Sequence, residues 1–314
     1  MAQLKKGFKE NGSVLLLALW VLAFLGLVAA SLSFRMGMAL RLTQTQWEDI
    51  QLRQLAKMAV PIFCATWKGQ KTSYTTLNQG WNSPPDRFKE YAVADGFFSI
   101  EKRQDESAKI NINVAPPEVL QRLCDARNDL ISAILEWRTP AQTSAHQDSY
   151  ERYGYESRHG VFQSIEELRL VRGMTPDIFK TLKDKITVYS FGPVNVNTAS
   201  MEVLQALGMP DSLVQKIIFY RKGSDGQEGT PDDGYFPAVS EILTLLQSKV
   251  SITPVERDTL TMMANTNMLS VQSDSFRLQI LTHLKESRLS GRYEVVMSAR
   301  LHAGHILYWR ELQG

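Results

Sequence analysis

The densest group of ligating side chains lies in one short stretch, Gly223-Ser224-Asp225-Gly226-Gln227-Glu228-Gly229-Thr230-Pro231-Asp232-Asp233-Gly234. Asp225, Glu228, Asp232 and Asp233 put four carboxylates into nine positions, with glycines between them. Calcium takes six to eight oxygen ligands on a chain that curls tightly, and this stretch supplies both. A solvated acidic turn has a similar composition. A second loop, residues 139–160, offers Asp148, Glu151 and Glu156, a thinner set that leaves a second site in doubt.

Other reactive groups do not assemble into chemistry. The histidines are His146, His159, His283, His302 and His305. His302 and His305 stand three apart on a strand pattern, face opposite sides and make a poor ligand pair. Neither a nucleophile with a paired base nor a phosphate-binding loop can be read from the spacing, so the expectation is a protein that is not an enzyme. The formal charge of +2 over 314 residues gives no electrostatic case for nucleic acid. Two cysteines, Cys64 and Cys124, either pair in an oxidising compartment or remain separate buried thiols.

The acidic loop belongs to an internal repeat. Lys109-Ile110-Asn111-Ile112-Asn113-Val114-Ala115 is echoed by Pro193-Val194-Asn195-Val196-Asn197-Thr198-Ala199. In each copy a helical pattern follows, then a second one ending at Arg138 or Arg221, then a loop and an aromatic entry at Phe162 or Phe236. Ser200 occupies the expected N-cap of its helix. Duplicated helical units of this size stack and share a core. The pattern looks like the helix-hairpin-helix unit of DNA-binding proteins, which makes a membrane-anchored DNA-binding protein the alternative reading. Such hairpins grip phosphate through backbone amides approached closely at glycines. Here the turns read Leu123-Cys124-Asp125-Ala126-Arg127-Asn128 and Leu207-Gly208-Met209-Pro210-Asp211-Ser212, without Gly-x-Gly and with an aspartate where the anion would sit. A structural use of the unit is therefore expected, and nucleic acid is disfavoured as a partner.

Strand signals flank this helical middle. Residues 91–102 read as a hairpin or bulged strand around Asp95-Gly96, and alternation returns in 275–282, 292–301 and 305–309. The pattern predicts one antiparallel sheet interrupted by an insertion. Ahead of it, Leu52, Leu55, Ala59, Ile62 and Phe63 recur at helical spacing, with Pro61 expected to kink the helix or mark its last turns. Residues 69–86 are a loop by composition.

Residues 13–34 contain no charged side chain. As a helix they span about 33 Å, enough to cross a hydrocarbon core of about 30 Å. Lys5, Lys6 and Lys9 before the run outweigh Arg35 and Arg41 after it, which favours the N-terminus inside. A cleaved signal peptide and an ordinary single-span anchor are the competing readings. The boundary Glu10-Asn11-Gly12-Ser13 resembles the leader of type IV pilins and type II secretion pseudopilins, cut after glycine by a prepilin peptidase that methylates the new N-terminus. Gly7-Phe8 is a second candidate, followed by Lys9 and Glu10 instead of apolar residues. Cleavage after Gly12 makes Ser13 the first residue and Leu17 the fifth, where most members of that superfamily carry glutamate. An acid buried in a filament core requires a partner. Its replacement suits a subunit at the tip.

Taken together, the anchor with Leu17, Asp105-Glu106-Ser107-Ala108-Lys109-Ile110-Asn111-Ile112-Asn113, Leu170-Val171-Arg172-Gly173-Met174-Thr175-Pro176, Val194-Asn195-Val196-Asn197-Thr198-Ala199 and Tyr308-Trp309-Arg310-Glu311 resemble the minor pseudopilin K family of type II secretion. The resemblance implies an α+β pilin-like fold, a long transmembrane helix plus an antiparallel sheet, with a large inserted helical domain of two helix-hairpin-helix-like repeats. The boundaries it suggests are a leader over 1–12, the N-terminal helix over 13–68, the first part of the pilin-like domain over 69–106, the insertion over 107–270 (repeats at about 109–190 and 193–268) and closing strands over 271–314. It implies calcium in the helical domain, partnership with minor pseudopilins I and J, with H and the major pseudopilin G as further candidates, and a single pass of the inner membrane with the C-terminal domain in the periplasm. The role implied is at the pseudopilus tip, initiating or capping assembly for export of folded proteins.

Overall fold

A computed structural model describes residues 10–68, 72–82, 88–140, 150, 154–300 and 304–312. Helix α1 runs unbroken from Glu10–Lys68, a length of about 88 Å at 1.5 Å per residue. From Ser13 to Trp47 its side chains are exposed, and the apolar stretch is long enough to cross a membrane by length and composition. Its last third turns a different stripe inward: Leu52, Leu55, Ala56, Ala59, Val60, Phe63 and Cys64 are buried at alternating spacings of three and one. Ile62 lies only at the edge of that stripe, half-buried. Pro61 is accommodated inside the helix, which continues to Lys68.

That stripe packs on a five-stranded sheet. Strands β1 (Tyr91–Val93), β2 (Gly96–Asp105), β7 (Ser275–Leu284), β8 (Ser290–Ser298) and β9 (His305–Leu312) lie in the order β1-β2-β7-β8-β9, each pair antiparallel. The expected hairpin at Asp95-Gly96 and a bulge are both present, the bulge falling between Ile100 and Lys102. Phe98, Ile100, Phe276, Leu278, Ile280, Tyr293, Val295 and Met297 line the face toward α1, and Trp81 and Phe88 close the core. The alternate residues Arg277, Glu294 and Val296 are buried too, so the opposite face of the central strands is also covered.

Between β2 and β7 the chain builds a second core from two similar lobes. A 3₁₀ turn at Glu106–Ala108 leads to β3 (Ile110–Asn111), α2 (Pro117–Leu123), α3 (Asn128–Arg138), a 3₁₀ segment at Ile165–Leu170, α4 (Pro176–Leu182) and β4 (Ile186–Thr187). The second lobe repeats this with β5 (Val194–Asn195), α5 (Met201–Leu207), α6 (Asp211–Arg221), a 3₁₀ turn at Val239–Glu241, α7 (Ile242–Gln247), α8 (Pro254–Asn265) and β6 (Leu269–Ser270). Each lobe closes with a two-residue parallel bridge, β3 with β4 and β5 with β6. Leu120, Ile134, Leu204 and Ile217 from both lobes belong to one apolar cluster. Cys124 lies in this core and Cys64 in the sheet core, two buried thiols in separate clusters. Burial pushes the Cys124 thiol up to about 11, which keeps it protonated at neutral pH.

Candidate functional site

The repeated Asn-x-Asn explains how the second lobe holds the acidic loop. Asn195 Oδ1 accepts from the amide of Asn197 at 3.0 Å, an Asx turn that bends the chain toward α5. Asn197 then spans to the aromatic entry, its Nδ2 donating to the carbonyl of Phe236 and its Oδ1 accepting from the Phe236 amide. Lobe one repeats every contact: Asn111 turns on the amide of Asn113, and Asn113 clasps Phe162. The terminal arginine of the second helix closes the same ring. Arg138 donates to the carbonyl of Ile112 at 2.6 Å, and Arg221 to that of Ala199 at 2.6 Å and of Val196 at 3.3 Å. Ser200 caps α5, accepting from the Val203 amide as its position in the sequence predicts.

Residues 223–234 leave α6 from Arg221 and return at Phe236, so both ends of the acidic loop are fixed by this clasp. Asp225, Asp232 and Asp233 converge, with one carboxylate oxygen of each lying within 4.8 Å of the others. Asp232 Oδ2 accepts from the amides of Ser224 and Asp225 and from Ser224 Oγ, at 2.6–3.1 Å. These bonds, led by the Ser224 hydroxyl and joined by Thr230, hold its carboxyl well below the usual carboxylate range. Thr230 Oγ1 donates to Asp232 and Asp233, and the Gly229 amide donates to Asp233. Gly223, at φ +60°, is required: a Cβ there would run into the Asp232 backbone.

Glu228 does not join the three aspartates. Its carboxylate lies 2.9 Å from Arg221, whose side chain is 3% exposed. Burial pulls the guanidinium down from its ordinary range, and Glu228 and Asp233 pull it back. A buried cation draws the nearest acid to itself, and in this loop that is Glu228. The set of four carboxylates expected from the sequence is thus three converging aspartates and one counter-ion. Three clustered carboxylates on a tightly turning backbone fit a hard divalent cation by donor chemistry. In the first lobe Asp148 and Glu151 fall outside the described residues, and Glu156 is exposed.

The remaining sequence-predicted positions are dispersed. Ser13 and Leu17 lie on the exposed face of α1, Leu17 being 67% exposed, and Gly12 lies within the helix. Gly7, His146 and His302 are outside the described residues. His283 stacks on Phe97 at 5.1 Å, and His305 begins β9. In the turn between α2 and α3, Asp125 and Ala126 take positive φ without glycine. Asp211, first residue of α6, accepts from Gln205 Nε2 at 2.8 Å. A carboxylate at that helix start repels the phosphate a nucleic-acid hairpin would hold there.

The adjacent Asp105 and Glu106 entered the sequence reading only as part of a family resemblance, with no role assigned; both are buried where the lobes join the sheet. Two acids in a row after a strand look like a surface turn. The signal that distinguishes them is the basic residue three positions on, Lys109, which pairs with Glu106 at 2.7 Å.

Comparison with known proteins converges on one group. Residues 101–191 match the family described as type II secretion system (T2SS), protein K. The type II secretion system protein K of Pseudomonas aeruginosa is 25% identical over 256 residues, covering 71% of this chain and 75% of that protein. Among solved structures, a chain of the GspK-GspI-GspJ complex from the enterotoxigenic Escherichia coli type 2 secretion system superposes with a TM-score of 0.66 at 17% identity. That match covers 87% of this chain and 99% of the other, and shows the same fold. With the apolar helix, the meandering sheet and the doubled Asn-x-Asn lobes all accounted for, the chain is similar to type II secretion system protein K, by family over residues 101–191 and by fold over 87% of its length.

Proposed function

We propose that this chain is a minor pseudopilin at the tip of the type II secretion pseudopilus, where it initiates or caps assembly for the export of folded proteins across the outer membrane. The observation that carries the reading is the pairing of a bare apolar helix, with Leu17 at the fifth position after Gly12, and a wide two-lobed body at the other end. The helix can bury its apolar surface only in lipid or against other helices. The two-lobed body obstructs a further subunit stacked above. Leucine at the fifth position leaves no buried acid in need of a neighbour's amine.

On this reading a prepilin peptidase cuts after Gly12 and methylates Ser13. The helix is held once across the inner membrane until assembly, with the sheet and lobes in the periplasm. The solved relative is in complex with GspI and GspJ. Minor pseudopilins I and J are accordingly the partners proposed here, with H and the major pseudopilin G adjacent. Calcium is proposed at Asp225, Asp232 and Asp233, where it would supply positive charge that ties the loop together, while Glu228 serves Arg221.

Mass spectrometry of the membrane-bound form tests the assignment. The expected mature N-terminus is methylated Ser13, and an intact Met1 overturns it. Co-purification with minor pseudopilins I and J is the expected companion result. The DNA-binding alternative predicts salt-sensitive duplex binding instead.

A further inference from the structure

Asp105 and Glu106 are consecutive, both buried, and each fastens a different lobe to the sheet. Glu106 Oε1 meets Lys109 Nζ at 2.7 Å and Arg277 Nε on β7 at 2.8 Å, and its other oxygen accepts from Thr187 on β4 of lobe one at 2.5 Å. Arg277 is shared with Glu294 on β8 at 2.8 Å. Lobe one is therefore held by ion pairs.

Asp105 serves lobe two without a cation. One of its oxygens accepts from the Ser107 amide at 2.8 Å; the other accepts from Thr198 Oγ1 and Ser273 Oγ at 2.5 Å and from Asn195 Nδ2 at 3.4 Å. Asn195 also donates to the carbonyl of Thr75 and to Ser273 Oγ, so four segments of the chain meet at this carboxyl. The charged groups around it are Arg103 on its own strand, Glu106 with its partners Lys109 and Arg277, and Asp274 on the returning segment. Asp274 is itself occupied by Ser107, Ser275 and the Phe191 amide. Lobe two and the 72–82 segment present Asn195, Thr198 and Thr75, all uncharged. Among the described residues no basic side chain pairs with Asp105. The hydroxyls of Ser273 and Thr198 can each give or receive a hydrogen bond, so the pocket accepts either the acid or its anion.

We propose that Asp105 is a proton-operated joint: as the neutral acid it seats the second lobe on the sheet, and on ionising it loosens that seat while Glu106 keeps the first lobe in place. Burial pushes the Asp105 carboxyl up to about 6 against the pull of Ser273 and Thr198, and Asp274 adds to the rise. Burial acts on Glu106 in the same direction, but Lys109 and Arg277 hold it at about 2. The sign follows. A carboxyl bound more weakly to its proton when the seat is open favours opening as pH rises through the closed-state value, and the opening equilibrium grows about tenfold between pH 5 and pH 8.

Amide hydrogen exchange on the full chain in detergent, corrected for intrinsic rates, tests this. Protection at residues 194–199 and 271–274 is expected to fall about tenfold from pH 5 to pH 8, with residues 110–112 and 186–187 unchanged. In Asp105→Asn the difference between the two pH values should vanish. Equal losses in both lobes, or the same pH dependence in Asp105→Asn, overturn the proposal. Should that variant not fold, carboxyl ¹³C titration of the wild-type chain decides: a midpoint near 6 for Asp105 supports the joint, and one at or below that of an ordinary aspartate removes it.

Discussion

Asn197 grips Phe236 with both ends of its amide, donating to the carbonyl at 2.9 Å and accepting from the N–H at 2.8 Å. A side-chain amide used this way replaces a rung of sheet where no strand exists, and it does so 39 residues away in sequence. Asn197→Ala leaves a buried carbonyl and amide unpaired, for a loss of about 2–3 kcal/mol. Urea unfolding should register it as a lower midpoint, with Asn113→Ala costing less because that site is only half-buried.

Glu106 gives an acid limb to stability. Its carboxyl is held at about 2, below an unfolded value of 4.5, so its contribution is full above pH 4.5 and disappears as pH falls toward 2. The amount at stake is about 3 kcal/mol. Thermal melts of the wild type should drop over that interval, and Glu106→Gln should start lower and flatten the limb.

Phe63 sits at the centre of the helix–sheet core, 5.8 Å from Phe88 and 5.7 Å from Phe276 between ring centroids. Phe63→Ala removes a fully buried ring and should cost about 3–5 kcal/mol. Near-ultraviolet circular dichroism and melting will show whether the sheet core loosens.

Calcium should raise the melting temperature of the full chain in detergent, by the equivalent of about 2.7 kcal/mol at a hundredfold excess over the dissociation constant. Asp225→Asn, Asp232→Asn and Asp233→Asn should each abolish the rise. Glu228→Gln should lower the melt with and without the ion while keeping the difference between them, since it braces Arg221. Identical curves with calcium and with chelator would leave only an acidic turn.

Periodicity made the outer parts of the fold legible. The uncharged run announced α1, alternation announced β7, β8 and β9, and the doubled Asn-x-Asn announced two similar lobes. The acidic loop was visible from composition, yet the role of Glu228 was not, because the buried Arg221 that claims it follows from the tertiary clasp on Val196 and Ala199. Asp105 and Glu106 were opaque for the same reason. A carboxylate reads as surface until the chain brings Thr187 and Arg277, or Thr198 and Ser273, from far along the sequence to cover it.

Asp105 and Phe276 are direct cross-strand partners, with residues 106–275 between them. Topologically both lobes therefore occupy the position of a hairpin turn in an otherwise consecutive up-and-down sheet. Zipping two strands across so long a tether is slow when the tether is a coil, because its closure entropy must be met before any contact forms. Each lobe instead brings its own ends together, Ile110 beside Ile186 and Val194 beside Leu269. Architecture thus replaces one long tether by two pre-closed units, and the gap that β2 and β7 must bridge is the short distance between the lobe ends instead of the full contour of residues 106–275.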